Sequence, residues 1–123
     1  MPKQTSSNTP NFSNSGPLDL DGLRSNIGDI DLKPLLEIFV EDAQAEIAKI
    51  KAALATSDAH LLMQLAHGLK GASATMHAIK MRELCLTMEN LARDNDLQPL
   101  AEILKSLESE LAVVKKYGRA LKH

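Results

Sequence analysis

Leu62-Met63-Gln64-Leu65-Ala66-His67-Gly68-Leu69-Lys70-Gly71-Ala72-Ser73-Ala74-Thr75-Met76 has apolar residues at positions 62, 65, 69, 72 and 76. Spacings that alternate between four and three mark a helix with one buried stripe. At about 100° per residue, His67 falls almost opposite the centre of that stripe, so its imidazole is expected to face water. One turn further on, the same face carries Gly71 and then Ala74, where a solvated helix would carry Glu, Lys or Gln. Glycine inside a helix costs roughly 1 kcal/mol relative to alanine, so Gly68 and Gly71 both weaken the element they sit in. A cost accepted on an exposed face implies that something large approaches His67. Lys70 adds a cation on the neighbouring edge. Gly68, nearer the flank of the stripe, is either merely tolerated there or serves close helix packing.

The chain before this helix has a similar seam. Asp31-Leu32-Lys33-Pro34 reads as an N-cap followed by a first-turn proline, where the missing N–H costs nothing. Leu36, Val40, Ala43, Ile47, Ile50 and Leu54 then follow at spacings of four and three. Thr56-Ser57-Asp58 interrupts this seam and caps the His67 helix. Asp96-Leu97-Gln98-Pro99 repeats the cap-and-proline pattern ahead of Leu97, Leu100, Leu104, Leu107, Leu111 and Val114. Between Met76 and Met81 there is neither Gly nor Pro, yet the apolar phase breaks. The stripe through Leu62–Met76 and the one through Met81, Leu84, Met88 and Leu91 differ by about 100° around a continuous helix. A straight helix could not turn both toward one core, so a turn is expected at His77–Ile79. The predicted fold is all-α: an antiparallel up-down-up-down four-helix bundle over residues 18–123. A short helix from Leu18 to Ile27, ended by Gly28-Asp29, precedes it. Met1–Pro17, rich in Ser, Asn and Pro, reads as a disordered tail.

The bulk properties narrow the function. The 123 residues fit one domain, and 44% hydrophobic residues can build a core. Phe12, Phe39 and Tyr117 are the only aromatics, which leaves Leu, Ile, Ala and Met to fill the interior of a helical protein. A net charge of −2 leaves no footprint for nucleic acid or an anionic membrane. Cys85 is the only cysteine, so no intramolecular disulfide forms and a reducing cytoplasm is the expected compartment. No apolar run reaches the length of a membrane span. No Gly-rich phosphate loop or Walker lysine offers a nucleotide site, so autophosphorylation from ATP is not expected. His60 shares the face of His67 but stands about 10 Å away along the helix, too far for a common metal ion. No metal or other cofactor is expected. Cys85 and Met88 read as core filler.

His67-Gly68-Leu69-Lys70-Gly71 resembles the H-x-L-K-G signature of the histidine phosphotransfer (HPt) domains of two-component phosphorelays. The resemblance continues through Ala78, Leu84-Cys85 and Met88-Glu89, and by pattern covers roughly Leu18 to the C-terminus. One position departs: ten residues after the histidine the family commonly has Gly, and this chain has His77. The geometry of that turn therefore does not follow from the resemblance. The resemblance implies a phosphoryl carrier, with His67 taking the group from a receiver domain's aspartyl phosphate and passing it to a second receiver. Receivers and a hybrid histidine kinase would be its partners.

On that reading Lys70 is the phosphoryl-stabilising charge, and Met63, Gly71 and Ala74 form the receiver-docking surface. Ile38, off its own seam, either joins that surface or covers the short N-terminal helix. An ordinary solvated histidine is the plainer reading of His67. It loses ground to the Lys70–Gly71 spacing and to an exposed imidazole's reference pKa of about 6.5, which leaves a nucleophilic nitrogen at neutral pH. The alternative function is a helical adaptor that binds signalling partners and carries no phosphate. A monomer is expected, because the bundle uses all four stripes.

Overall fold

The computed structural model of the chain describes residues 16–28 and 30–121. Most of the expected N-terminal tail, residues 1–15, lies outside the described residues, as does Asp29 of the expected turn. The described residues form five α-helices and no strand: α1 Leu20–Ile27, α2 Leu32–Ala55, α3 Ala59–Thr75, α4 Ile79–Arg93 and α5 Leu100–Ala120. Helix α2 packs on α3, α3 on α4 and α4 on α5, and α5 closes the ring against α2. With connections of a few residues, this is the four-helix bundle the seams predict, and α1 is the additional short helix. No helix among the described residues is long and apolar enough to cross a membrane.

Local chemistry sets the boundaries. The side chains of Asp19, Asp31 and Asp58 cap α1, α2 and α3 by accepting from the amides of Gly22, Lys33 and Leu61. Helices α2, α3 and α4 each end in the same way. Ser57, His77 and Asn95 adopt φ of 55°, 55° and 57°. The amides of Asp58, Ala78 and Asp96 then reach back to the carbonyls of Ala53, Ser73 and Leu91 at 2.9, 2.9 and 2.8 Å. These are left-handed C-terminal caps closed by six-to-one hydrogen bonds.

His77 thus takes the conformation that glycine would adopt most readily. The left-handed region costs a side-chain-bearing residue roughly 1–2 kcal/mol. Contacts with α1 offset that cost: the His77 carbonyl accepts from the Asp19 amide at 2.9 Å, and Nε2 stands 2.9 Å from Asn26 Nδ2. Gly22 lies so close that a Cβ there would sit 2.8 Å from His77 Nδ1.

Three expectations need correction. Asp96 does not cap α5: it lies four residues before that helix, where its amide closes α4. Helix α5 begins at Leu100, with Pro99 at the N-cap position and no side-chain cap, so Leu97 is only half-buried before the helix. Next, the buried line of α3 runs through Leu62, Ala66, Leu69, Ser73 and Met76. Leu65 is half-buried and Ala72 is exposed. The buried face is therefore rotated by about 40° toward His67 from the predicted stripe. Alanine carries too little apolar surface to fix the phase, and the buried serine hides the true register. Finally, Ile38 is 56% exposed and so does not cover α1.

The core tests this register. Leu69→Asp is expected to destabilise the fold by about 3 kcal/mol or more through a buried unpaired charge, whereas Ala72→Asp should change little. The Ser73 hydroxyl is buried with no hydrogen-bond partner among the described residues. Ser73→Ala should therefore add about 1 kcal/mol. Thermal melts of the three variants check the register, and a severe loss in Ala72→Asp would contradict it.

Candidate functional site

The rotation of α3 sets the position of His67. Its ring stands at about 140° from the buried line rather than opposite it, on the side where α4 packs. The side chain remains 68% exposed, but Nδ1 reaches Glu89 Oε2 on α4 at 2.9 Å. Glu89 is only 6% exposed. A carboxylate taken out of water needs partners, and three side chains supply them. Lys70 Nζ lies 2.7 Å from Oε1, and Arg93 Nη2 donates to Oε2 at 3.1 Å, the same oxygen that meets His67. Lys70 is one turn along α3 from His67, and Arg93 one turn along α4 from Glu89, so helix periodicity forms each pair and the packing of α3 on α4 joins them.

The electrostatics fix the protonation pattern. Lys70 above all, then His67, holds the Glu89 carboxyl below the usual carboxylate range, against burial, which acts to raise it. Glu89 is therefore an anion at neutral pH. A carboxylate only accepts, so the neutral imidazole carries its proton on Nδ1 and keeps the lone pair on Nε2. A carboxylate behind the ring also fixes its orientation, as it does for metal-binding histidines. The arrangement is an oriented, exposed nitrogen nucleophile with an anion behind it.

Lys70 is drawn inward onto Glu89 and is 25% exposed. Met63 is half-buried against the core, while Gly71 and Ala74 are exposed along α3. A Cβ on Gly71 would meet nothing within 4 Å, so packing within the bundle does not require this glycine. The same holds for Gly68, so of its two readings the one as a site of close helix packing is overturned. Cys85 and Met88 are buried in the core. Burial pushes the Cys85 thiol up to about 12, with the Lys70 charge opposing, so it is not a nucleophile. Among the described residues no group of three or more His, Cys, Asp or Glu side chains could hold a metal ion.

Sequence reasoning missed Glu89 and Arg93 as members of the site. A signal existed: Glu89 is an acid four residues after the buried Cys85 and four before Arg93, on the edge of an apolar stripe. Its significance depends on which face of α3 it meets.

Comparison with known proteins finds matches in family and in fold. The Hpt domain family matches residues 34–117. Phosphotransferase RcsD of Escherichia coli (strain K12) is 31% identical over 72 residues, which are 58% of this chain and 8% of that protein. The chain thus spans less than a tenth of that relative's length. The crystal structure of histidine-containing phosphotransfer protein B (HptB) from Pseudomonas aeruginosa PAO1 matches with a TM-score of 0.73 at 30% identity. That match covers 84% of this chain and 92% of the other.

The depressed Glu89 ionisation has a consequence for stability. A carboxyl whose folded value lies below its unfolded one stabilises the fold fully above the unfolded value, and that stability disappears as pH falls through the folded value. At neutral pH, Glu89→Gln is expected to lower Tm by roughly 5 °C. The gap between wild type and variant should narrow below the ordinary glutamate value of about 4.3. Melts from neutral pH to about pH 3 check this, and a gap that widens on acidification would contradict it.

Proposed function

This chain belongs to the Hpt domain family, and from that premise we propose that it carries a phosphoryl group on His67 between receiver domains. The observation that carries the proposal is the exposed His67 ring whose Nδ1 is held by the buried, ionised Glu89. Nε2 attacks the phosphorus of a receiver's aspartyl phosphate in line. The P–O bond to the aspartate breaks as the N–P bond forms, and the aspartate leaves as a carboxylate. No proton moves in the step: Nδ1 keeps its hydrogen, and the positive charge gained by the ring is met by Glu89. Transfer to the second receiver runs the same exchange in reverse. Such a step depends on positioning and charge rather than on covalent chemistry by the protein.

Lys70 acts in two ways on this reading. It keeps Glu89 ionised, and its charge one turn from His67 stabilises the phosphoryl oxygens. Met63, Gly71 and Ala74 form part of the receiver-docking surface, where the missing side chain of Gly71 and the small one of Ala74 admit the partner. A hybrid histidine kinase and receiver domains are the partners, the protein works as a cytoplasmic monomer, and phosphate reaches it only through partners. A helical adaptor that carries no phosphate has no need of an ionised carboxylate beneath an exposed imidazole.

Two experiments test the proposal. Incubation with a phosphorylated receiver should label the protein with an acid-labile, base-stable phosphate, and His67→Gln should abolish it while leaving the protein folded, since glutamine can still donate to Glu89. Label that persists in His67→Gln, or that appears at His60 or His77, contradicts the assignment. Gly71→Gln should raise helix stability by up to about 1 kcal/mol and weaken receiver binding and transfer, whereas Lys70→Ala should leave docking largely intact and slow transfer. Receiver affinity, transfer rate and Tm for both variants separate the two roles; normal transfer by Gly71→Gln would remove the access argument.

A further inference from the structure

Helices α4 and α5 enclose a groove of about 460 Å³, with Lys80 and Leu84 on one wall and Ser106, Glu110 and Val113 on the other. It lies away from the His67 site: around α4, Leu84 stands about 140° from Glu89. Val113 is 49% exposed at its edge, and Leu84 is half-buried within it. The Glu110 carboxyl makes no hydrogen bond or salt bridge among the described residues. Partial burial pushes its ionisation above the ordinary glutamate range, with the Lys80 charge opposing. The groove thus combines uncovered apolar walls with a carboxylate short of donors.

We propose that the N-terminal segment of this chain fills the groove, with the Phe12 ring between Leu84 and Val113, an inference independent of the carrier function. The described residues bring the chain to the mouth of the groove. The Asp19 amide donates to the His77 carbonyl, two residues before α4 begins. Gly16 lies against the tip of the Tyr117 ring, where a Cβ would stand 3.1 Å from Cε1. Tyr117 continues the α5 wall, because Val113 and Glu110 precede it by four and seven residues on the same helix face. Phe12 is four residues before Gly16, a span of up to about 14 Å. Val113 and Glu110 lie about 6 and 10 Å from Tyr117 along the helix axis, so the ring can reach both. The chemistry of the segment suits the groove as well. Residues 1–15 contain no acidic side chain, and Phe12 is their only aromatic. An occupant that covers Leu84 and Val113 takes Glu110 further from water, which is costly unless donors replace the lost hydration. Asn11, Ser13 and Asn14 supply neutral donors on either side of Phe12. The short tether makes the contact intramolecular, so it needs far less affinity than a separate peptide would.

Methyl-labelled full chain tests the proposal by NMR. Nuclear Overhauser contacts between the Phe12 ring and the methyls of Leu84 and Val113 should be present at a strength that does not change with protein concentration. Phe12→Ala should remove them, shift those methyls while leaving the His67 resonances in place, and lower Tm by roughly 5 °C. In a Val113→Asp background, where the exposed position lets the bundle fold but a charge replaces the apolar wall, Phe12→Ala should lower Tm no further. Absent ring–methyl contacts overturn the proposal, whatever the melting temperatures. Contacts that fade on dilution also overturn it, because a second copy would then supply the ring. An equal loss of Tm from Phe12→Ala in both backgrounds overturns it as well, since the ring would then pack elsewhere. Each of these outcomes leaves phosphate transfer by His67 untouched, so the two readings fail separately.

Discussion

Burying Glu89 between α3 and α4 takes a carboxylate out of water, a step that costs several kcal/mol unless partners replace the lost hydration. The two helices provide those partners at fixed offsets: His67 and Lys70 from one turn of α3, Arg93 from the next turn of α4. Meeting that requirement also does chemical work. The imidazole that donates to Glu89 is held in one orientation and one tautomer, with its other nitrogen toward solvent. A structural obligation inside the bundle thereby produces a defined nucleophile on its surface, in a chain with no metal-binding cluster among its described residues.

The surface beyond His67 bears the complementary cost. Gly68 and Gly71 reduce helix propensity, and neither has a neighbour that a Cβ would strike. Internal packing therefore gives no reason for them, in contrast to Gly22, where a side chain would collide with His77 and Asp19. The loss in α3 is borne by the rest of the bundle, through Leu62, Ala66, Leu69 and Met76 in the core and a side-chain cap at Asp58. A rigid hairpin that presents one oriented ring beside a low, open face suits a large partner better than a small ligand.

The four seams and the phase break between Met76 and Met81 carried the fold in the sequence, because Leu, Ile and Val choose a face unambiguously. The turn itself was legible only as a break. That His77 accepts a left-handed backbone follows from its contacts with α1, which lie more than fifty residues away in the chain. His67, Lys70 and Gly71 stood out by spacing within a single helix. Glu89 did not, because its place at the site depends on the rotation of α3 about its axis. That rotation turned on Ala72 against Ser73, two small residues whose polarity points the wrong way. Arg93 was hidden for the same reason, since its role follows from that of Glu89.

The site depends on Glu89 holding the His67 proton on Nδ1, which leaves the lone pair on Nε2. Long-range nitrogen–proton NMR of the imidazole in the unphosphorylated protein at mildly alkaline pH reads this directly. The predicted result is a single Nδ1–H tautomer for His67 in wild type, lost to a mixture in Glu89→Ala. An Nε2–H tautomer in wild type, or a mixture that does not change when Glu89 is removed, would contradict it.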